Sequence, residues 1–349
     1  MSVLQFVVGT RPEAIKIGPL VAECKRRGVS REILHTGQHT DLLVGTGLEP
    51  DTFLPALPPV PDGLSPLEAQ RWTQAQLRDR LRDRLHGVVV VQGDTVSATT
   101  AAGLAHDLGL PLAHVEAGVR TYQEDPWPEE GYRVQIDRWA DVGFCATDWN
   151  LANVRAEGCR GHFTVTGNPG VDAVRAVQPP VEPLLRQASI VVTLHRRESF
   201  GAPMDRIAAA LVAAADRWPY QWLVMSHPNG EVARAFASRR HPQISLHRPA
   251  RYAQFLHQLA HATLVITDSG GVQEDAATLG IPCVVARDHT DRPESLASGH
   301  AILGTRDPAI LGAAITHALT GHLRTDPSDR FGDGQAAPRI VDGLTALLD

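Results

Sequence analysis

The chain has 349 residues, 43% hydrophobic and 21% charged, an ordinary globular composition with length for about two domains of roughly 150 residues each. Disordered tails and disulfide scaffolds are thereby excluded. With 33 basic against 39 acidic residues the formal net charge is −6, so no overall basic field exists to capture nucleic acid or an anionic membrane, and any bound phosphate must be held by a local site.

Short, continuously apolar runs recur between segments of helix length. The first, Leu4–Val8, meets Arg11 too soon to be a signal core and reads as a buried strand. From Gln38 to His86 the chain is proline-dense between Pro55 and Pro66, then charged and amphipathic from Leu67 to Leu85, which predicts a loop followed by a helix. Strand runs resume at Val88–Val91, Leu112–Val115, Val142–Ala146 and Phe163–Val165. The strand-free, proline-marked stretch from Val174 to Pro183 reads as an interdomain linker. Beyond it come Ile190–Leu194, Trp222–Met225, Ile244–Leu246, Leu264–Ile266 and Pro282–Ala286, then helical patterns at Leu311–Leu319 and Ala336–Leu348. Unalternating strands spaced by helices mark parallel sheets covered on both faces. The expected fold class is therefore α/β, with two Rossmann-like doubly wound domains facing a cleft. The domains are expected over 1–173 and 184–325, followed by a C-terminal segment over 326–349.

Several chemistries drop out. The chain has only two lysines, Lys16 and Lys25, and neither follows a glycine, so no Walker A loop exists. Ser269 has Thr267 where a nucleophile elbow needs its first glycine. Gly332, Gly334 and Ala337 imitate a dinucleotide fingerprint, but no strand precedes them. The histidines lack metal-ligand spacing, so no metal and no cofactor is expected. The four cysteines lie far apart without a Cys-x-x-Cys pair, which fits a reducing cytoplasm. No run approaches the ~18 apolar residues of a membrane span.

What remains lies at strand ends. Gly9-Thr10-Arg11-Pro12-Glu13 follows the first strand with a capping-box pattern, and a helix start there favours an anion, with Arg11 and Lys16 adding charge. Asp94, Glu116 and Glu129 are read as carboxylates at successive strand ends, where together they point to general acid–base work; each alone fits a helix cap. His195 ends the first strand of the second half, and by itself reads equally as a structural histidine. Asp268-Ser269-Gly270-Gly271 ends another strand and opens a helix through Glu274 and Asp275. Its glycines let backbone approach a diphosphate, while an acid one turn on suits ribose hydroxyls. Arg287 and Arg292 follow a further buried strand.

These residues, with Thr36-Gly-Gln-His39, Gly93-Asp-Thr95, His114-Val-Glu-Ala-Gly118, Pro126-Trp-Pro-Glu-Glu130, Thr166-Gly-Asn168, His195-Arg-Arg-Glu198, His227-Pro-Asn229 and Asp291-Arg-Pro-Glu294, resemble the non-hydrolysing UDP-N-acetylglucosamine 2-epimerase family. The resemblance runs from Gly9 to Ile340. It implies the glycosyltransferase-B arrangement, with the C-terminal helix crossing back onto the first domain. It also implies that Arg11, Asp94, Glu116, Glu129 and His195 are catalytic or substrate-contacting, that Ser269, Gly270, Gly271 and Arg292 hold diphosphate, that Phe255 offers a main-chain uracil contact and that Asp275 meets ribose. The implied partner is a UDP-sugar substrate and the implied assembly a homodimer. Three departures stand out: Asp275 replaces a glutamate, Gly131 stands where an asparagine is usual, and Thr40-Asp41-Leu42-Leu43 replaces the usual continuation after His39. The last borders a second sugar-nucleotide site in bacterial members, so activation through such a site is not expected here.

The activity so implied is C2 epimerisation of UDP-N-acetylglucosamine to UDP-N-acetylmannosamine by elimination and re-addition of UDP. Four alternatives stay open: a hydrolysing epimerase that releases UDP and N-acetylmannosamine, an epimerase acting on a 2,3-diacetamido sugar nucleotide, a glycosyltransferase of the same fold that shares the diphosphate cradle, and a catalytically silent sugar-nucleotide binder.

Overall fold

The computed structural model describes residues 3–39, 48–123, 127–178, 186–226, 230–248 and 250–348. The end of the expected linker (179–183) and the motif positions 40–43, 126 and 227–229 lie outside the described residues. The chain divides into two compact units, Met1–Ala173 with Gly332–Asp349, and Val174–Phe331.

The first unit is built on β1 (Leu4–Val8), α1 (Arg11–Arg27), β2 (Arg31–His35), β3 (Thr52–Phe53), α2 (Pro66–Leu81), β4 (Val88–Gln92), α3 (Val96–Leu108), β5 (Leu112–Ala117), α4 (Glu129–Trp139), β6 (Val142–Cys145), α5 (Asp148–Ala156), β7 (His162–Val165) and the start of α6 (Pro169–Val177), whose residues from Val174 on fall in the second unit. Its seven strands pair in the order β3-β2-β1-β4-β5-β6-β7, and every pairing is parallel. Alternate residues of one strand enter different cores: Leu4, Phe6 and Val8 join one apolar cluster, Val7 the other. Both faces are covered, which is why these strands read as unbroken apolar runs.

The second unit continues with β8 (Ser189–Thr193), α7 (Ala202–Arg217), β9 (Gln221–Met225), α8 (Glu231–Phe236), β10 (Ile244–His247), α9 (Tyr252–Ala260), β11 (Leu264–Thr267), α10 (Gly270–Leu279), β12 (Cys283–Val285), α11 (Pro293–Ala297), β13 (Ala301–Leu303) and α12 (Pro308–Leu319). Its order, β10-β9-β8-β11-β12-β13, is again all parallel. The last helix, α13 (Ala336–Thr345), returns to the first unit, where Ile340, Val341 and Leu344 join the cluster of Leu4, Phe6 and Ile17.

Several elements differ from expectation. β2 and β13 were not foreseen as strands, because Arg31-Glu32 opens the first with polar residues and the second is only three residues long. Helix α6 occupies the start of the stretch expected to be a linker. The helix expected over Leu67–Leu85 begins one residue earlier, on the Ser65 cap, and ends at Leu81. Among the described residues no helix is long and apolar enough to cross a membrane.

Candidate active site

In each sheet the strand order reverses once, between β1 and β4 and between β8 and β11. Ligands of open parallel sheets bind at such points, beyond the carboxyl ends of the strands. The expected site residues lie at or after the carboxyl ends of the strands of these two sheets.

At the first, α1 starts on Thr10, with Pro12 in its first turn. The Glu13 carboxylate accepts the N–H groups of Gly9 at 2.9 Å and Thr10 at 2.6 Å, and the Thr95 hydroxyl at 2.6 Å, so one buried acid joins the loops after β1 and β4. Burial pushes this carboxyl up to about 7, although all these donors pull the other way. A Cβ on Gly9 would sit 2.1 Å from Ser97 Oγ, so only glycine lets this loop pack so closely.

Glu116 sits where β5 slips register against β6, with a left-handed φ of 73° that a glutamate rarely adopts. Lys16 Nζ donates to its Oε2 at 2.6 Å, and Gln92 donates to the same oxygen. Both members of the Lys16–Glu116 pair are buried. Lys16, expected beside Arg11 as a phosphate-facing cation, donates from its ammonium to the Glu116 carboxylate. Arg11 is the half-buried first residue of α1.

Asp94 follows β4 and is half-buried, and Arg133 on α4 donates to it through Nε at 3.0 Å and through Nη2. Glu129 is the first residue of α4, not the end of a strand as expected. Behind these acids lies a charge network. Asp137 contacts His114 Nδ1 at 2.6 Å and Arg120 Nη2 at 2.8 Å and accepts the Gly118 N–H at 3.0 Å. Burial pushes the Asp137 carboxyl up, but the charges and hydrogen bonds of His114 and Arg120 outweigh it and hold it below its ordinary value.

At the second reversal, Asp268 is fully buried, and its carboxylate accepts the N–H groups of His195 and Arg196 at 3.0 Å. The His195 ring lies half-exposed beside it. Ser269 is the N-cap of α10, and the first N–H groups of that helix, from Gly270 on, have no intrahelical acceptor. Arg292 reaches this helix start: a Cβ on Gly270 would be 3.3 Å from its Cζ. Its Nε donates to Glu274 on the same helix. Gly271, like Ser269, is half-buried. Tyr252 on α9 donates to Asp275 at 3.5 Å, which sets α9 and its half-buried Phe255 against α10. Burial lowers the pKa of Arg287, whose buried Nη2 has no hydrogen-bond partner among the described residues.

The residues that reading the motifs missed are partners. Gln92, Arg133 and Asp137 hold the acids, and Asp268 and Glu274 hold the cationic side. Asp268 and Glu274 lie inside a motif already singled out, but only the fold pairs them.

Two doubly wound units with an acid cluster at one switch point and a glycine-opened helix start at the other define a glycosyltransferase-B type architecture. The family model described as UDP-N-acetylglucosamine 2-epimerase matches residues 22–345. A Yersinia pestis protein named UDP-N-acetylglucosamine 2-epimerase is 35% identical, with 97% of each chain covered. The crystal structure of the Neisseria meningitidis UDP-GlcNAc 2-epimerase bound to UDP-GlcNAc superposes with a TM-score of 0.88 at 28% identity, covering 99% of this chain and 100% of that one. The calicheamicin glycosyltransferase CalG4 shares the fold alone, at TM-score 0.58 and 16% identity over 100% of this chain and 98% of that one. The chain belongs to the UDP-N-acetylglucosamine 2-epimerase family.

Proposed function

We propose that the protein interconverts UDP-N-acetylglucosamine and UDP-N-acetylmannosamine without net hydrolysis. The observation that carries this reading is Glu116, a carboxylate kept in left-handed backbone beside the first switch point and gripped by Lys16 and Gln92. Strain of this kind persists where a group must be aimed. The family's activity on UDP-GlcNAc, carried by the names of its members, supports the substrate.

The C2 hydrogen of an N-acetylhexosamine is not adjacent to a carbonyl, so a carboxylate alone cannot remove it. Cleavage of the C1–O bond sends its electron pair to the departing UDP, and the positive character left at C1 acidifies C2–H. A carboxylate then takes that proton, and the C1–C2 double bond of a 2-acetamidoglucal forms. Returning a proton to C2 from the opposite face while UDP oxygen re-attacks C1 inverts the centre. The helix start at Ser269–Gly271, with Arg11, His195 and Arg292, is assigned to the diphosphate, where charge develops. Asp94, Glu116 and Glu129 are assigned to proton transfer, which needs two carriers for two faces.

Incubation with UDP-GlcNAc in D2O, followed by NMR, tests this. The expected result is deuterium at C2 of the product with UDP still attached. Unlabelled product overturns the proton-transfer route, and accumulation of UDP with free N-acetylmannosamine overturns the non-hydrolysing outcome.

A further inference from the structure

Helix α4 carries Glu129, Arg133 and Asp137 four residues apart, which places them on one stripe. Arg133 and Asp137 are buried. Each grips a different loop: Arg133 binds Asp94, and Asp137 accepts the N–H of Gly118, two residues beyond Glu116. The other carboxylate oxygen of Asp137 meets His114 Nδ1, and His114 Nε2 lies 2.9 Å from the carbonyl oxygen of Gly93, the residue before Asp94. The His114 ring thus bridges the Asp137 carboxylate and the backbone carbonyl that precedes Asp94.

The Gly118 end is held from two sides, because Asn153 Nδ2 donates to its carbonyl at 2.9 Å. Arg120 completes the network, meeting Asp137 at 2.8 Å and Glu157 at 2.8 Å through Nε. A buried ion network this costly is weak evidence for stability, since apolar packing of the same volume often does as well. Its geometry has a clearer reading: it sets the backbone on either side of two strand-end acids and ties both to the helix that presents the third.

We infer that Asp137, acting through His114, is a positioning residue that fixes Asp94, Glu116 and Glu129 relative to one another for proton transfer at C2; this rests on the epimerase reading above. Neither Asp137 nor His114 is exposed, so each works through the groups it holds. A misplacement of about 1 Å in such groups slows chemistry by about 10²-fold.

The test compares the wild type with Asp137→Asn and His114→Gln, each nearly isosteric with the residue it replaces. Three measurements are made: C2 hydrogen exchange of UDP-GlcNAc in D2O, UDP affinity by calorimetry, and the unfolding transition. The expected result is exchange slowed about 10²-fold in kcat, with KM for UDP-GlcNAc and affinity for UDP unchanged and a single cooperative transition retained. Exchange at the wild-type rate in both folded variants overturns the inference and leaves the epimerase reading intact. Loss of UDP affinity or of the cooperative transition in both variants makes the network a folding element and also overturns the inference. Absence of exchange in the wild type overturns the functional reading itself, and this inference with it.

Discussion

Asp268 accepts the backbone N–H of His195 on both carboxylate oxygens at 3.0 Å, although 73 residues separate the two in sequence. The same carboxylate takes the Arg196 N–H, so the loop after β8 is hung on the loop after β11, immediately before the glycines that open α10. In Asp268→Asn an amide N–H group must face one of those donors. The expected loss is about 1 to 3 kcal/mol of stability, the penalty of a buried donor left unpaired, with weakened UDP binding. Urea unfolding and UDP calorimetry check both. Full retention of UDP affinity would show that the two loops are held in place some other way.

Lys16 and Glu116, 100 residues apart, form the corresponding buried pair of the first unit. Removing one partner takes this ion pair from the other buried charge, so Lys16→Met or Glu116→Gln alone is expected to destabilise by about 3 to 5 kcal/mol. The double variant should lose less than the sum of the singles, since neither charge then remains buried alone. A double-mutant cycle from denaturant midpoints measures that coupling. Epimerisation should stay lost in the double variant, which separates folding from chemistry.

Much of this architecture was legible because burial on both faces leaves a direct signature. Val88 and Val90 face one core and Val89 and Val91 the other, so β4 had to be apolar throughout. β2 escaped because its first two residues, Arg31 and Glu32, are only half-buried, and it lies next to the two-residue edge strand β3. In the site, Asp94, Glu116 and the glycine-opened helix showed themselves by lying at or just past strand ends. Their partners did not: Arg133 meets Asp94 across 39 residues and Gln92 meets Glu116 across 24, distances at which residue type alone carries no pairing information. Glu129 was misplaced for a related reason. An acid in a proline-rich stretch looks the same whether it ends a strand or begins a helix, and here it begins α4.

Glu13 gives the protein a pH-dependent stability. Burial raises its carboxyl to about 7 in the folded chain from an ordinary value of 4.5. Between those values the folded state holds a proton that the unfolded state has released, so stability falls as pH rises, by about 3 kcal/mol across the whole window. The contribution is fully present below about pH 4.5 and gone above about pH 7. Glu13→Gln keeps an acceptor for the Gly9 and Thr10 N–H groups and can donate to Thr95 Oγ1, while having no proton to lose. Denaturant midpoints at pH 5 and pH 7.5 should therefore differ less in this variant than in the wild type. An equal difference in the two chains would place the slope elsewhere.

Two glycines in and beside α4's reach should respond oppositely to alanine. Gly118 has a φ of 78°, and a Cβ there would lie 2.1 Å from the Asn150 carbonyl oxygen, a backbone atom that cannot swing aside. Gly118→Ala is expected to cost more than the ~1 kcal/mol of left-handed strain alone, and to slow epimerisation by shifting the turn that follows Glu116. Gly131 lies within α4, exposed, with nothing within 4 Å of a Cβ. Gly131→Ala should therefore stabilise by about 0.5 to 1 kcal/mol, the entropy glycine loses on entering a helix. Thermal unfolding of the two variants beside the wild type reads both signs, and a destabilising Gly131→Ala would mean that the departure at this position has a role the helix geometry does not explain.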